Sequence, residues 1–214
     1  MSVIVPCITV DTLDAYKQQV ERLQPFASRV HIDLSDGEFA PNKLLSENEI
    51  YWPQDWQVDI HAMVEKPSKH LARLIQLKPS LIIIHAECSE NLVATIQEIK
   101  KAGIKAGLAL QRSTVPLSIA AAIRVADHAL IFSGALGTYG GKANMVQIQK
   151  ARLIRAINPS IEVGWDGGAN LDNVYTMTRG GIAVINAGGA IAKADDPQAM
   201  YLRLSQEVNK KGVL

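Results

Sequence analysis

The stretch HIDLSDGEFAPN, residues 31–42, sets His31 and Asp33 two apart inside an otherwise apolar, β-branched run. A spacing of two places both side chains on one face of a strand. An unpartnered buried charge is expensive, so the pair either belongs to an internal polar network or faces something to be bound. Three further runs end in the same kind of residue: QVDIHAMV with His61 and, in phase one layer deeper, Asp59; LIIIHAE with His85 and Glu87; VGWDGG with Asp166. Imidazole suits zinc and other transition metals, and carboxylate suits zinc, manganese or magnesium. Singly, each residue reads as a hydrogen-bonded core histidine or a turn aspartate. Together, His31, Asp33, His61 and Asp166 read as a divalent metal site. His85 and Glu87 read as structural, and Asp36 as serving the turn into Gly37. Asp59 fits two roles, orienting a ligand residue from behind or holding the fold.

Three glycine pairs lie late in the chain: Gly140 and Gly141 in YGGK, Gly167 and Gly168 in WDGG, Gly188 and Gly189 in AGGA. Glycine lets backbone N–H groups approach an anion closely. One pair is an ordinary tight turn; three in successive late loops point to a phosphate site.

The elements that must position these residues alternate. Eight short apolar runs (SVIVPCI, RVHID, QVDIHAMV, LIIIHAE, KAGLAL, HALIFS, IEVGW, IAVINA) are separated mostly by segments of helical period. TLDAYKQQVERL presents Leu13, Tyr16, Val20 and Leu23 on one face, and SENLVATIQEIKKAG opens on Ser89 as cap and closes at Gly103. Residues 43–56, with Trp52 and Trp56, follow no period. Strands alternating with helices imply parallel pairing through right-handed crossovers. Eight units predict an α/β fold, a (β/α)8 TIM barrel in one domain over residues 1–214, with a doubly wound open sheet as the competing arrangement. A barrel carries its active site at the C-terminal ends of its strands, where the polar residues above fall.

The 214 residues are 48% hydrophobic with a formal net charge of +1, enough apolar material for a sizeable core. No basic block suits a nucleic-acid partner, and no apolar run approaches the roughly 20 residues of a membrane span. The N-terminal residues carry no secretory pattern, and Cys7 and Cys88 form neither a CxxC pair nor a disulfide framework. The expectation is a cytoplasmic protein with reduced thiols.

HIDLSDGEFAPN is similar to the H-x-D-x-M-D-G-x-F-x-P-N signature of ribulose-phosphate 3-epimerases. VDIHAMVEKP resembles their D-V-H-L-M-V-x-x-P, WDGG their V-D-G-G, and NAGGAI their A-G-S-A-I, in the same order along almost the whole chain. The resemblance implies a (β/α)8 fold and inversion at C3 of a ketose phosphate, by default D-ribulose 5-phosphate to D-xylulose 5-phosphate. It implies one divalent metal, often zinc, with manganese, iron or cobalt as alternatives. Carried onto this chain, His31, Asp33, His61 and Asp166 match the metal ligands, and Asp33 and Asp166 the acid/base pair. Gly140, Gly141, Gly167, Gly168, Gly188 and Gly189 fall at or beside the phosphate loops. Such barrels commonly assemble, so a homo-oligomer is expected, with the apolar segment around Trp52 and Trp56 as a contributor.

The match has departures. The family's P-S-I-L-S is PCITV, so Cys7 replaces one serine and Val10 replaces a serine that contacts substrate in the family. Two methionines of the family are Ser35 and Ser133, while Met63 keeps its place; Arg112 enters the loop after the fifth strand, and a Pro-Gly becomes Gly137-Thr138. The ligand set is spared and the pocket around it altered, with Ser35, Ser133 and Met63 as residues near the substrate. Buried hydroxyls need partners, and a substrate hydroxyl is one candidate. Two rivals follow: an epimerase of another ketose phosphate, such as a hexulose 6-phosphate, and a paralogue that binds sugar phosphate without turnover. A sugar-phosphate decarboxylase is disfavoured, because the chain holds no D-x-K-x-x-D signature.

Overall fold

The computed structural model describes residues 2–134, 136 and 141–210. Eight parallel strands close into a barrel in chain order: β1 (Val3–Ile8), β2 (Arg29–Ser35), β3 (Gln57–Met63), β4 (Leu81–His85), β5 (Lys105–Leu110), β6 (His128–Phe132), β7 (Glu162–Asp166) and β8 (Val184–Ala187), with β8 returning to pair with β1. All eight expected strands are present, and closure excludes the open sheet. The helices are α1 (Leu13–Leu23), α2 (Ser68–Leu77), α3 (Leu92–Lys101), α4 (Ala120–Val125), α5 (Gln149–Ile157), α6 (Val174–Arg179), α7 (Gly189–Ala192) and α8 (Pro197–Val208). None of the described helices is long and apolar enough to cross a membrane.

Strand alternation builds two cores. In β4, Ile82 and Ile84 join the large apolar layer beneath the helices, while Leu81 and Ile83 meet Ala109 and Leu130 in a small cluster within the barrel. In β2, Val30, Ile32 and Leu34 take the helix side, which leaves Arg29, His31, Asp33 and Ser35 on the other. The floor of the barrel is polar. Arg29 Nε donates to Asp59 Oδ2 at 2.8 Å, its Nη2 to Glu162 Oε2 at 2.9 Å, and His128 Nδ1 meets the same Glu162 oxygen at 2.8 Å. Asp59 is anchored to Arg29 below the site and pairs in register with His31. Gly164 has no side chain because the His128 ring occupies the space a Cβ would need.

Several local expectations shift. Asn91 rather than Ser89 caps α3, its side chain accepting from Ala94 N at 3.1 Å, while Ser89 Oγ donates to Glu65 O. Asn91 stands immediately before the first helical residue, where a cap must be. Leu13 is exposed and α1 buries Tyr16, Val20 and Leu23. The glycine pair 188–189 opens α7, a single helical turn that the loop reading did not contain. Trp56 is buried, Trp52 packs partly buried on the core, and Tyr51 beside them is exposed. Cys7 is buried, with its Sγ donating to Val5 O at 3.8 Å, and Cys88 is half-buried.

Candidate active site

The barrel register brings the site residues together from neighbouring strands. Asp33 of β2 pairs with His61 of β3, Cys7 of β1 with His31, and Asp166 of β7 with Asn186 of β8. His31, Asp33, His61 and Asp166 each offer a ligand atom, and these atoms all lie within 4.8 Å of one another. Asp33 Oδ1 is 2.8 Å from His61 Nδ1 and 3.2 Å from His31 Nε2; Asp166 Oδ2 is 3.8 Å and 3.9 Å from the same nitrogens. Four donors about 2 Å from a tetrahedral ion would stand roughly 3.3 Å apart, so the set could hold a divalent cation after small adjustments.

The electrostatics separate the two carboxylates. Burial alone would raise Asp33, but hydrogen bonds and positive charge from His31 and His61 outweigh it and hold the carboxyl well below its usual range. Asp166 is raised by burial and by the neighbouring Asp33 charge. One is a settled anion and the other retains a proton more readily, an arrangement suited to a base and an acid side by side. A cation among them would draw both down. His31 loses charge stability to burial, yet Asp33 and Asp166 more than restore it and raise the ring. Cys7, beside both carboxylates, is pushed well above the ordinary thiol value by burial and their charge, so it is a neutral wall group rather than a thiolate.

Polar partners back both histidines. His61 Nε2 lies 2.8 Å from His85 Nε2, whose Nδ1 lies 3.0 Å from Glu87 Oε2; Glu87 Oε1 accepts from Gln111 N and from the Thr114 hydroxyl. His85 and Glu87, read as structural, thus form a polar chain leading directly to His61. Behind His31, the Asn186 amide lies 3.0 Å from Nδ1. Thr9 donates to Asp33 Oδ2 at 2.5 Å. Thr9 and Asn186 escaped the sequence reading. Asn186 had a signal, a lone amide in the apolar run IAVINA; Thr9 had the weaker one of sharing a strand face with Cys7.

A cavity of about 270 Å³ opens above the cluster, lined among others by Cys7, Thr9, Met63, Phe132, Asn186 and Lys193. Gly141, Gly167, Gly168, Gly188 and Gly189 reach the same wall; Gly140 lies outside the described residues. Gly167 and Gly168 have φ of 108° and 73°, and a Cβ on either would collide with backbone of the preceding βα loop. Their side-chain-free surface is therefore dictated by loop packing as well as by the cavity.

The altered residues fall differently from expectation. Val10 packs on the apolar core, and Cys7 in β1 and Thr9 just beyond its end reach the cavity. The reason is strand parity: residues 7 and 9 point inward together and residue 10 cannot join them. Ser35 and Ser133 are buried off the cavity lining; Ser35 Oγ accepts from Gly37 N at 3.3 Å and Ser133 Oγ from Asn144 N at 2.7 Å. A buried hydroxyl beside a tight turn takes the nearest backbone donor, so these two shape loops. Arg112, though exposed, directs Nε and Nη2 at the Ser133 carbonyl. Asp36 holds its expected turn, accepting from Glu38 N, Phe39 N and Glu65 N.

The family model for the ribulose-phosphate 3 epimerase family matches residues 3–192. The chain belongs to the ribulose-phosphate 3-epimerase family. Membership places it among isomerases. It is similar to the ribulose-phosphate 3-epimerase of Aquifex aeolicus, 28% identical over 214 residues, with 95% of this chain and 96% of that protein covered. The Helicobacter pylori enzyme of the same name is 32% identical over 178 residues, covering 79% of this chain and 82% of its own. Among solved structures, the 3-hexulose-6-phosphate synthase of Salmonella typhimurium superposes with a TM-score of 0.72 at 17% identity, covering 97% of this chain and 99% of that one. At that identity the likeness speaks for the barrel alone.

Proposed function

We propose that this chain is a divalent-cation-dependent epimerase that inverts C3 of a ketose phosphate, by default D-ribulose 5-phosphate to D-xylulose 5-phosphate. The observation that carries the reading is the convergence of Asp33 and Asp166 on one point with His31 and His61. Two carboxylates at a single centre are what an inversion needs, since one base does not readily serve both faces of a carbon.

The donor set fits a cation. Glu87 can only accept, so His85 Nδ1 carries the proton between them; His85 Nε2 is then an acceptor, and His61 Nε2 is its donor. His61 Nδ1 is left facing Asp33 Oδ1 at 2.8 Å. A lone pair and a carboxylate oxygen repel at that distance unless a proton or a metal cation sits between them. His31, Asp33, His61 and Asp166 would hold that cation, with zinc first and manganese, iron or cobalt as alternatives. When bound it would supply a Lewis acid for the oxygens flanking the reacting carbon.

The remaining steps belong to the chain. One carboxylate removes the C3 proton, leaving an enediolate of the sugar; the other, entering as the acid, returns a proton to the opposite face. The two aspartates end with their protonation exchanged, so the reverse reaction uses them in reversed roles. Gly141, Gly167, Gly168, Gly188 and Gly189 offer backbone N–H groups to the phosphate, with Lys193 as a cation at the same cavity. Anchoring the phosphate fixes C3 between the carboxylates. Thr9 and Cys7 on the wall favour, as a second reading, a ketose phosphate other than the pentose, such as a hexulose 6-phosphate.

The test is deuterium incorporation at C3 over a panel of pentulose and hexulose phosphates in deuterated water, with zinc, manganese or ferrous iron supplied. Label from one sugar names the substrate. Absence of label from all of them, in a protein that still binds these sugars, would leave a non-catalytic sugar-phosphate binder.

A further inference from the structure

Asn186 lies 2% exposed in β8, and its amide meets His31 Nδ1 at 3.0 Å with the amide nitrogen nearest the ring. Its Oδ1 is buried without a hydrogen-bond partner. The two ends of an asparagine amide are equal in shape, so the hydrogen-bond network decides which faces His31. His31 Nε2 is the ring atom that points into the cluster, 3.2 Å from Asp33 Oδ1 and 3.9 Å from Asp166 Oδ2. For Nε2 to offer a lone pair there, the ring proton must sit on Nδ1, and that proton needs an acceptor.

We propose that Asn186 is a positioning residue for His31: its amide oxygen accepts the Nδ1 proton and so commits Nε2 to the cation. The claim rests on the cation-dependent reading above. In either orientation one end of the amide stays unpaired in a buried place, a standing cost that an apolar side chain of similar size would avoid. That cost falls at a position on β8 from which the side chain reaches the back of His31. His61 has an equivalent arrangement through His85 and Glu87. Each histidine of the cluster is thus backed on the nitrogen that faces away from it.

The experiment compares the full-length wild type with Asn186→Leu, which removes the amide at similar size, and Asn186→Asp, which keeps an acceptor and removes the NH2. Zinc affinity is measured by chelator competition, and the His31 tautomer by nitrogen-15 shifts of the zinc-loaded protein. Expected are a zinc affinity about 10- to 100-fold weaker in Asn186→Leu, wild-type or tighter affinity in Asn186→Asp, and an Nδ1–H, Nε2-bound His31 in the wild type. Unchanged affinity in Asn186→Leu overturns the proposal, as does an equal loss in Asn186→Asp or a wild type that takes up no zinc. Should Asn186→Leu fail to fold, the wild-type tautomer decides: a proton on His31 Nε2 overturns it. A wild type that binds zinc through the expected tautomer yet inverts no ketose phosphate would sink the epimerase reading and leave this assignment standing.

Discussion

His61 Nε2 and His85 Nε2 stand 2.8 Å apart, a separation at which two imidazoles share one proton. Glu87 settles which ring owns it, because it holds the proton of His85 on the far nitrogen. His85 is also kept neutral: burial is the main cause, and its pKa falls to about 4. Replacing His85 by Leu removes the acceptor behind His61 and frees that ring to adopt the wrong tautomer. Zinc affinity should fall about 10- to 100-fold, while Glu87→Gln, which still accepts, should lose less. Titration against a chelating dye reads both; an unaltered His85→Leu affinity would show that the chain behind His61 is structural.

Asp166 can be separated from the fold more cleanly. It is the carboxyl that burial and Asp33 push up, and it ends β7 without bearing on the apolar core. Asp166→Asn should keep the far-ultraviolet spectrum and lower C3 turnover about 10²- to 10⁴-fold, the range of a lost general acid or base. Turnover equal to wild type would remove Asp166 from the acid/base pair.

What the sequence disclosed follows from what periodicity can see. Alternation on β2, β3 and β4 puts every second residue on one face, so the inward direction of His31, Asp33, His61 and His85 is legible once eight strands are counted. The same parity argument, carried past the end of β1 from Cys7, puts Thr9 rather than Val10 at the cavity, whereas the family motif points to Val10. Partners across the barrel were hidden. That Asp59 belongs to Arg29, or Asn186 to His31, depends on the shear of a closed sheet, which no local pattern records. The hydroxyls of Ser35 and Ser133 were assigned to the cavity because their donors, Gly37 N and Asn144 N, are set by loop geometry. The turn α7 was missed because Gly188 and Gly189 are poor helix formers.

Gly168 offers a test of the loop that follows Asp166. Its φ is 73°, and a Cβ would strike the backbone of residues 141–143. Gly168→Ala therefore adds left-handed strain of about 1–2 kcal/mol to a collision that must shift one loop. The melting temperature should drop, and because the same loop lines the cavity, KM for the sugar phosphate should rise more than kcat falls. A variant with wild-type KM would mean the glycine serves loop packing alone.

The barrel floor should register in acid. Burial works against the Glu162 carboxylate, but hydrogen bonds from His128 and Arg29, with their charge, outweigh it and hold its pKa far below the usual carboxylate value. A carboxyl lowered on folding contributes stability that is present above its unfolded pKa of about 4.3 and is lost as pH falls through the folded value. Glu162→Gln removes that contribution, so its melting temperature should lie below wild type at pH 7. The gap should persist to about pH 4.3 and then narrow as wild type takes up the proton. Glu162 is 37% exposed and partly screened, so the gap should be a few degrees rather than tens. Melting both proteins between pH 7 and pH 3 measures it, and a gap that widens toward acid would show that the Arg29–Glu162–His128 cluster does not hold Glu162 as an anion.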